Sequence, residues 1–190
     1  MQQIIGDYIF HTLAKEPPPP IITLYQIHSN LIISPSEVDK KADGFLVYDF
    51  EQINDPLCIL TADCLPIFIL GKKGFVFLHA GWKGLANGIL FQKQISQIIP
   101  HTLYIGPCIY PCCYEVATDF IKNFNQHGTT IQKNHQTFFD LITTAKNQIT
   151  SIHPDINFIH SNICTCCNQN FHSYRRNKTS KRNYNIIIKR

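Results

Sequence analysis

Two short runs of this chain carry side chains able to do chemistry. Ala62-Asp63-Cys64 closes one apolar segment and His79-Ala80-Gly81-Trp82 closes the next, so a thiol and an imidazole each stand where a buried strand hands over to a loop. A second imidazole, His28, follows in Tyr25-Gln26-Ile27-His28-Ser29. One Cys and two His form a ligand set that holds zinc and leaves a fourth position open. The same three residues would also serve a cysteine hydrolase or deamidase, with Cys64 as nucleophile, His79 as its base and His28 as the orienting group. A multicopper cluster needs closely paired histidines, and none of the nine here forms a His-x-His pair, so copper is not expected.

The elements that must position these side chains follow from the apolar spacing. Ile21 to Ile27 reads as a strand delivering His28, and Asp43 to Tyr48 as another. Pro56 to Leu70 is the most apolar stretch; Pro66 argues against one unbroken central strand, so the segment divides near Asp63-Cys64. Gly71 to Gly74 has turn composition, and Phe75 to Leu78 returns towards His79, a hairpin that brings Cys64 and His79 together. Leu85, Ile89, Leu90, Ile95, Ile98 and Ile99 predict an amphipathic helix stopped at Pro100, entered through Gly81 and Gly84, whose free amides would suit an anion. A strand at Thr102 to Ile105, a helix from Tyr114 to Asn125, a helix from Phe138 to Ile149 and strands near Ile156 to Ile159 and Tyr184 to Ile188 complete the reading. Pro17 to Pro20 can only be extended, which makes the first part of the chain a connector or an edge. The fold class is α/β (α+β): mixed β-sheets flanked by helices, in a single domain.

With 190 residues, 44% of them apolar and 12% aromatic, the chain has material for one sizeable core. Nothing approaches the roughly 20 apolar residues of a membrane helix, and Met1 to Phe10 lacks the pattern of a secretory leader; a soluble, cytoplasmic protein is expected. The net charge is +4, and Arg175, Arg176, Lys178, Lys181, Arg182, Lys189 and Arg190 follow the last acidic residue, Asp155. Such an end is a solvated basic tail or a seat for a small phosphate-type anion; nucleic-acid binding is the less favoured reading. The eight cysteines are expected to be reduced. A binding protein would instead use Cys164, Cys166, Cys167 and His172 for a structural zinc and the basic end for nucleic acid, but Cys-x-Cys-Cys is not the two-pair spacing of a zinc ribbon.

Four motifs in order make the chain recognisable. Ala62-Asp63-Cys64-Leu65-Pro66, His79-Ala80-Gly81-Trp82-Lys83-Gly84-Leu85, Gly106-Pro107-Cys108-Ile109 with Cys113-Tyr114-Glu115-Val116, and Cys164-Thr165 with Phe171-His172-Ser173-Tyr174-Arg175-Arg176 resemble those of the YfiH family. That family is also called the polyphenol oxidase or laccase-domain family, and its members are understood to be zinc-dependent purine nucleoside phosphorylases. The resemblance runs from about Tyr25 to the C-terminus, which leaves 1–24 as an N-terminal extension or edge segment and 25–190 as the catalytic domain. It implies a zinc held by His28, Cys64 and His79. It further implies phosphorolysis of adenosine, inosine, guanosine and methylthioadenosine with inorganic phosphate, and deamination of adenosine, a reaction for which other deaminases use zinc to activate water.

On this resemblance His28, Cys64, His79 and Asp63 form the catalytic group. Arg175 or Arg176 would help seat the phosphate, Asp63 or Glu115 would protonate or hydrogen-bond the leaving base, and Trp82 or Tyr174 would stack on the purine. Lys83 stands where many relatives carry Arg, keeping the charge and losing the bidentate fork.

Overall fold

The computed structural model describes residues 1–48, 55–124 and 127–190. Two sheets and a set of helices form three layers. The outer sheet has five strands, β1 (Gln2–Ile5), β2 (Tyr8–Leu13), β3 (Ile22–Thr23), β6 (Leu57–Thr61) and β14 (Asn183–Lys189), in the order β1-β2-β14-β6-β3. The central sheet holds β4 (Ile32–Ile33), β5 (Gly44–Tyr48), β7 (Leu65–Gly71), β8 (Gly74–Ala80), β9 (Pro100–Ile105) and β13 (Asn157–His160), in the order β13-β9-β7-β8-β5-β4. A small third sheet consists of β10 (Glu115–Val116), β11 (Thr130–Lys133) and β12 (Gln136–Phe139). Helices α1 (Trp82–Ala86), α2 (Lys93–Gln97), α3 (Leu141–Ile152) and α4 (Tyr174–Asn177) complete the described elements, with 3-10 turns at Ile89–Phe91 and Phe120–Asn123. This is the mixed-sheet α/β architecture expected from the sequence.

The central sheet is buried on both faces, which is why its strands read as continuous apolar runs rather than alternating ones. In β7, Ile67 and Ile69 meet the helices while Phe68 faces the outer sheet. In β8 the same alternation sends Val76, Leu78 and Ala80 to the helical side, and Phe75 and Phe77 into the layer between the sheets with Phe10, Leu57 and Ile59. His79, two residues after Phe77, therefore belongs to the inter-sheet face, at its end.

The division of the apolar stretch at Asp63-Cys64 is where the chain leaves one sheet for the other: β6 pairs with β14 in the outer sheet, and β7 with β8 and β9 in the central one. Pro66 is tolerated as the second residue of β7. Opposite it, His79 gives its N–H to the Asp43 carbonyl at 2.7 Å, and Pro66 O still accepts from Gly106 at 3.0 Å.

Four expectations need correction. The strand over Ile21 to Ile27 is only Ile22–Thr23, so His28 arrives on a loop, with φ 59. The helix over Leu85 to Ile99 is broken into α1, a 3-10 turn and α2, because Gly88 takes φ 77 and Gln92 is extended. Leu85, Ile89, Leu90, Ile95 and Ile98 are buried nonetheless, while Ile99 stays exposed, so the apolar spacing reported a buried face and not a continuous helix. The helix over Tyr114 to Asn125 is replaced by β10 and a 3-10 turn, since Tyr114, Phe120 and Phe124 all pack on Phe139; Asn125 itself lies outside the described residues. The helix expected from Phe138 starts instead at Leu141, where the Asp140 side chain accepts from Thr143 N–H at 3.0 Å; Phe138 and Phe139 end β12. Among the described residues no helix is long and apolar enough to cross a membrane.

Candidate metal centre and its cavity

His28, Cys64 and His79 come from three different segments, and their ligand atoms lie within 4.8 Å of one another. Cys64 immediately precedes the Leu65–Ala80 pair of the β7/β8 ladder, so the ladder sets it beside the end of β8 where His79 stands. His28 is brought over by Asp43, a residue the sequence reading did not single out. The fully buried Asp43 carboxylate accepts the His28 N–H at 3.0 Å, the Ser29 N–H at 2.5 Å and the Ser29 hydroxyl at 2.7 Å. It also lies 2.8 Å from His79 Nδ1. A carboxylate there can only accept, so Nδ1 carries the proton and Nε2 is left free to accept a metal, as in carboxylate–histidine–metal arrangements. A carboxylate at the head of an apolar strand was the available signal for Asp43.

The electrostatics of the three groups are coupled. Burial alone would push the Cys64 thiol up, but the His79 and His28 imidazoles hold it down to about 6. Burial would likewise lower His79, and Cys64 and Asp43 raise it to about 9. Burial works against the Asp43 carboxylate too, yet its bonds from His79 and Ser29 bring it down to about 2. The unloaded centre thus favours a thiolate beside an imidazolium.

A soft thiolate with two borderline nitrogens is a donor set suited to zinc, and the surrounding backbone leaves room for an ion. At Gly81 a Cβ would stand 2.9 Å from Cys64 Sγ and 3.3 Å from His28 Cδ2, so only glycine keeps that side of the centre clear.

The centre lies on a cavity of about 650 Å³. Of the residues expected to bind substrate, Trp82, Lys83, Tyr174 and Arg175 line it, as does Asp63; Glu115 and Arg176 do not. The Glu115 carboxylate accepts from Gln136, and only its backbone carbonyl takes part, receiving Arg175 Nη1 at 2.7 Å. Arg176 turns away to donate to the carbonyls of Thr165, Cys166, Asn168 and Phe171. Both Asp63 oxygens are engaged, one by the Thr165 hydroxyl at 2.7 Å and the other by the Arg175 N–H at 2.6 Å. The lining also includes residues that were not among the expected substrate contacts, notably Tyr114, over which the Arg175 guanidinium stacks at 4.9 Å, Tyr25, Gln26, Lys178 and Arg182. The basic end of the chain supplies three of the cavity's cations, Arg175, Lys178 and Arg182, so that part of it is no solvated tail.

A second set of thiols lies outside this cavity. Cys112, Cys113, Cys164 and Cys167 form a surface cluster. Cys166 and His172, the other members of the sequence-based structural-zinc set, are not in it; His172 Nε2 donates to Ala14 O at 2.8 Å.

Comparison with known proteins agrees with the motifs. A purine nucleoside phosphorylase of Aquifex aeolicus is 33% identical over 144 residues, covering 71% of this chain and 66% of that protein. One of Clostridium acetobutylicum is 31% identical over 184 residues, covering 88% of this chain and 76% of that protein. The crystal structure of Bacillus licheniformis YfiH shares the fold, with a TM-score of 0.69 at 23% identity over 90% of this chain and 74% of that one. The chain thus spans from just under two thirds to about three quarters of the lengths of these proteins. Residues 9–190 match the family model described as multi-copper polyphenol oxidoreductase laccase, a span that starts before Tyr25 and takes in most of β2, and the chain belongs to this family, the YfiH family.

Proposed function

We propose that this chain is a zinc-dependent purine nucleoside phosphorylase that cleaves adenosine, inosine, guanosine and methylthioadenosine with inorganic phosphate and also deaminates adenosine. The carrying observation is the convergence of His28, Cys64 and His79 on a cavity that Lys83, Arg175, Lys178 and Arg182 also line. Names borne by relatives from several bacteria point the same way. When bound, zinc would supply a Lewis acid with one open position, able to lower the pKa of a water or polarise a substrate oxygen.

The remaining work falls to the chain's own side chains. Arg175, held by the Glu115 carbonyl and stacked on Tyr114, offers a pre-oriented planar fork for a phosphate, and Lys83, Lys178 and Arg182 add positive potential around it. Trp82 and Tyr174 offer faces for a purine. Asp63 acts as a positioning residue, tying the Cys64 corner to the Arg175 backbone, and Asp43 orients the two imidazoles.

The test is phosphate-dependent release of hypoxanthine and ribose 1-phosphate from inosine. Cys64→Ala should abolish both turnover and the zinc bound at this centre. Turnover that survives the substitution, or proceeds equally without phosphate, would overturn the reading. A second reading, a cysteine hydrolase, is favoured by one observation: a lowered Cys64 thiol beside a His79 that is itself backed by Asp43. The two separate on metal, because a thiolate holding zinc is not free to attack; purified protein whose Cys64 alkylates readily and holds no zinc would decide for the hydrolase.

A further inference from the structure

Cys112 and Cys113 follow β9, and Cys164 and Cys167 follow β13. These strands are parallel neighbours, so both loops leave the same end of the central sheet. The pairing continues past the strand ends, where Cys108 and Cys164 form a parallel bridge and Thr165 N–H donates to Cys108 O at 2.9 Å. The backbone therefore gathers two local pairs of thiols that lie more than 50 residues apart in sequence.

Their geometry points to a shared cation. The sulfur separations are 3.3 Å for Cys113–Cys167, 3.6 Å for Cys112–Cys167, and 3.8 Å for both Cys112–Cys113 and Cys112–Cys164. Four sulfurs at about 2.3 Å from one tetrahedral ion stand about 3.8 Å apart, whereas a disulfide brings two of them to about 2.05 Å. Cys164-x-x-Cys167 closes a turn in which Asn168 N–H donates to Cys164 O at 2.9 Å. Four thiolates with a divalent ion would carry a net charge of about −2, and the Arg176 guanidinium sits on the carbonyls of Thr165, Cys166 and Asn168 beside them.

We infer that Cys112, Cys113, Cys164 and Cys167 form a tetrathiolate zinc site, separate from the Cys64 centre, that staples together two loops whose residues brace the cavity lining. One loop continues into Tyr114 and Glu115, the two supports of Arg175; the other carries Thr165, the partner of Asp63. Four protein ligands close the coordination shell, so the site is structural and not catalytic.

The assignment is independent of the reaction at Cys64 and is tested by metal content and spectra of the full chain. Zinc per chain should be about two in the parent protein and about one in the Cys64→Ala variant, the remaining ion being the tetrathiolate one. Cys112→Ser with Cys167→Ser should also fall to about one while keeping the Cys64 centre loaded. Should that double variant fail to fold, cobalt-substituted His28→Ala/Cys64→Ala protein gives the answer: thiolate-to-cobalt charge transfer for about four sulfurs is expected. A metal-free Cys64→Ala protein whose surface cysteines titrate as free thiols would overturn the assignment, as would mass spectra linking Cys112 to Cys167 as a disulfide.

Discussion

At the residue scale, the arrangement of His28, Cys64 and His79 depends on one carboxylate that lies outside the motifs. Asp43 accepts from His28, Ser29 and His79 at once, so it sets the entry of one imidazole and the tautomer of the other. Asp43→Asn keeps the shape and replaces an oxygen acceptor with a donor at one position, and is expected to cost about 10- to 100-fold in zinc affinity, measured by competition with a chelator. The sign with pH follows from the shifts. Asp43 titrates at about 2, below its usual 3.8, so its contribution to stability is complete above the usual value and is lost as pH falls through about 2. Cys64 titrates at about 6, so alkylation of the zinc-free protein should rise with pH through about 6 instead of 9. In Asp43→Asn the His79 imidazolium loses its counter-charge, and that midpoint should move upward. The local signal of Asp43, a carboxylate at the head of an apolar strand, does not disclose its role, because its partners lie 15 and 36 residues away; His28, Cys64 and His79 were legible because each sits in a motif.

At the element scale, the corner between β6 and β7 matters most, since it carries Asp63 and Cys64 from one sheet to the other. Its outer-sheet side is fastened by the fully buried Asn185 of β14. Asn185 donates to Ile59 O and to the Thr61 hydroxyl, both at 3.0 Å, and accepts from the Thr12 hydroxyl at 2.9 Å. Asn185→Ala leaves those groups of β2 and β6 unpaired in the interior and should destabilise the protein by about 2–3 kcal/mol. The measurement is a lower urea midpoint with an unchanged slope. Strands were legible where both faces are apolar, as in β7 and β8, because burial itself writes the run. The helices were less so: the apolar period of residues 85–99 is real, but the turn at Gly88 serves tertiary packing that local spacing does not encode.

At the scale of the whole molecule, the cavity is assembled from distant parts of the chain: the His28 loop, the Cys64 corner, the end of β8 and the basic C-terminal segment. The electrostatic consequence is a cluster of cations at one mouth in a protein whose net charge is only +4. Arg175→Ala should raise the phosphate KM by about 10- to 100-fold, the equivalent of losing a charge-assisted hydrogen bond of 1.5–3 kcal/mol, with a smaller change in KM for the nucleoside. Arg175→Lys should recover only part of the loss, because Lys keeps the charge and not the fork or the stack on Tyr114. Steady-state kinetics with each substrate varied in turn would check both.

Residue type and local order determined which thiol and two imidazoles were candidates to hold a metal, the sheet-rich α/β class, the β7/β8 hairpin and the family, because donor chemistry, two-sided burial and turn composition are properties of contiguous residues. Only the tertiary structure decided that Asp43 orients both imidazoles, that Arg176 faces the backbone while Arg175 faces the cavity, and that four cysteines from two loops meet. Those outcomes depend on which strand lies beside which, and strand neighbours are set by the packing of the whole core over sequence separations that no local pattern spans.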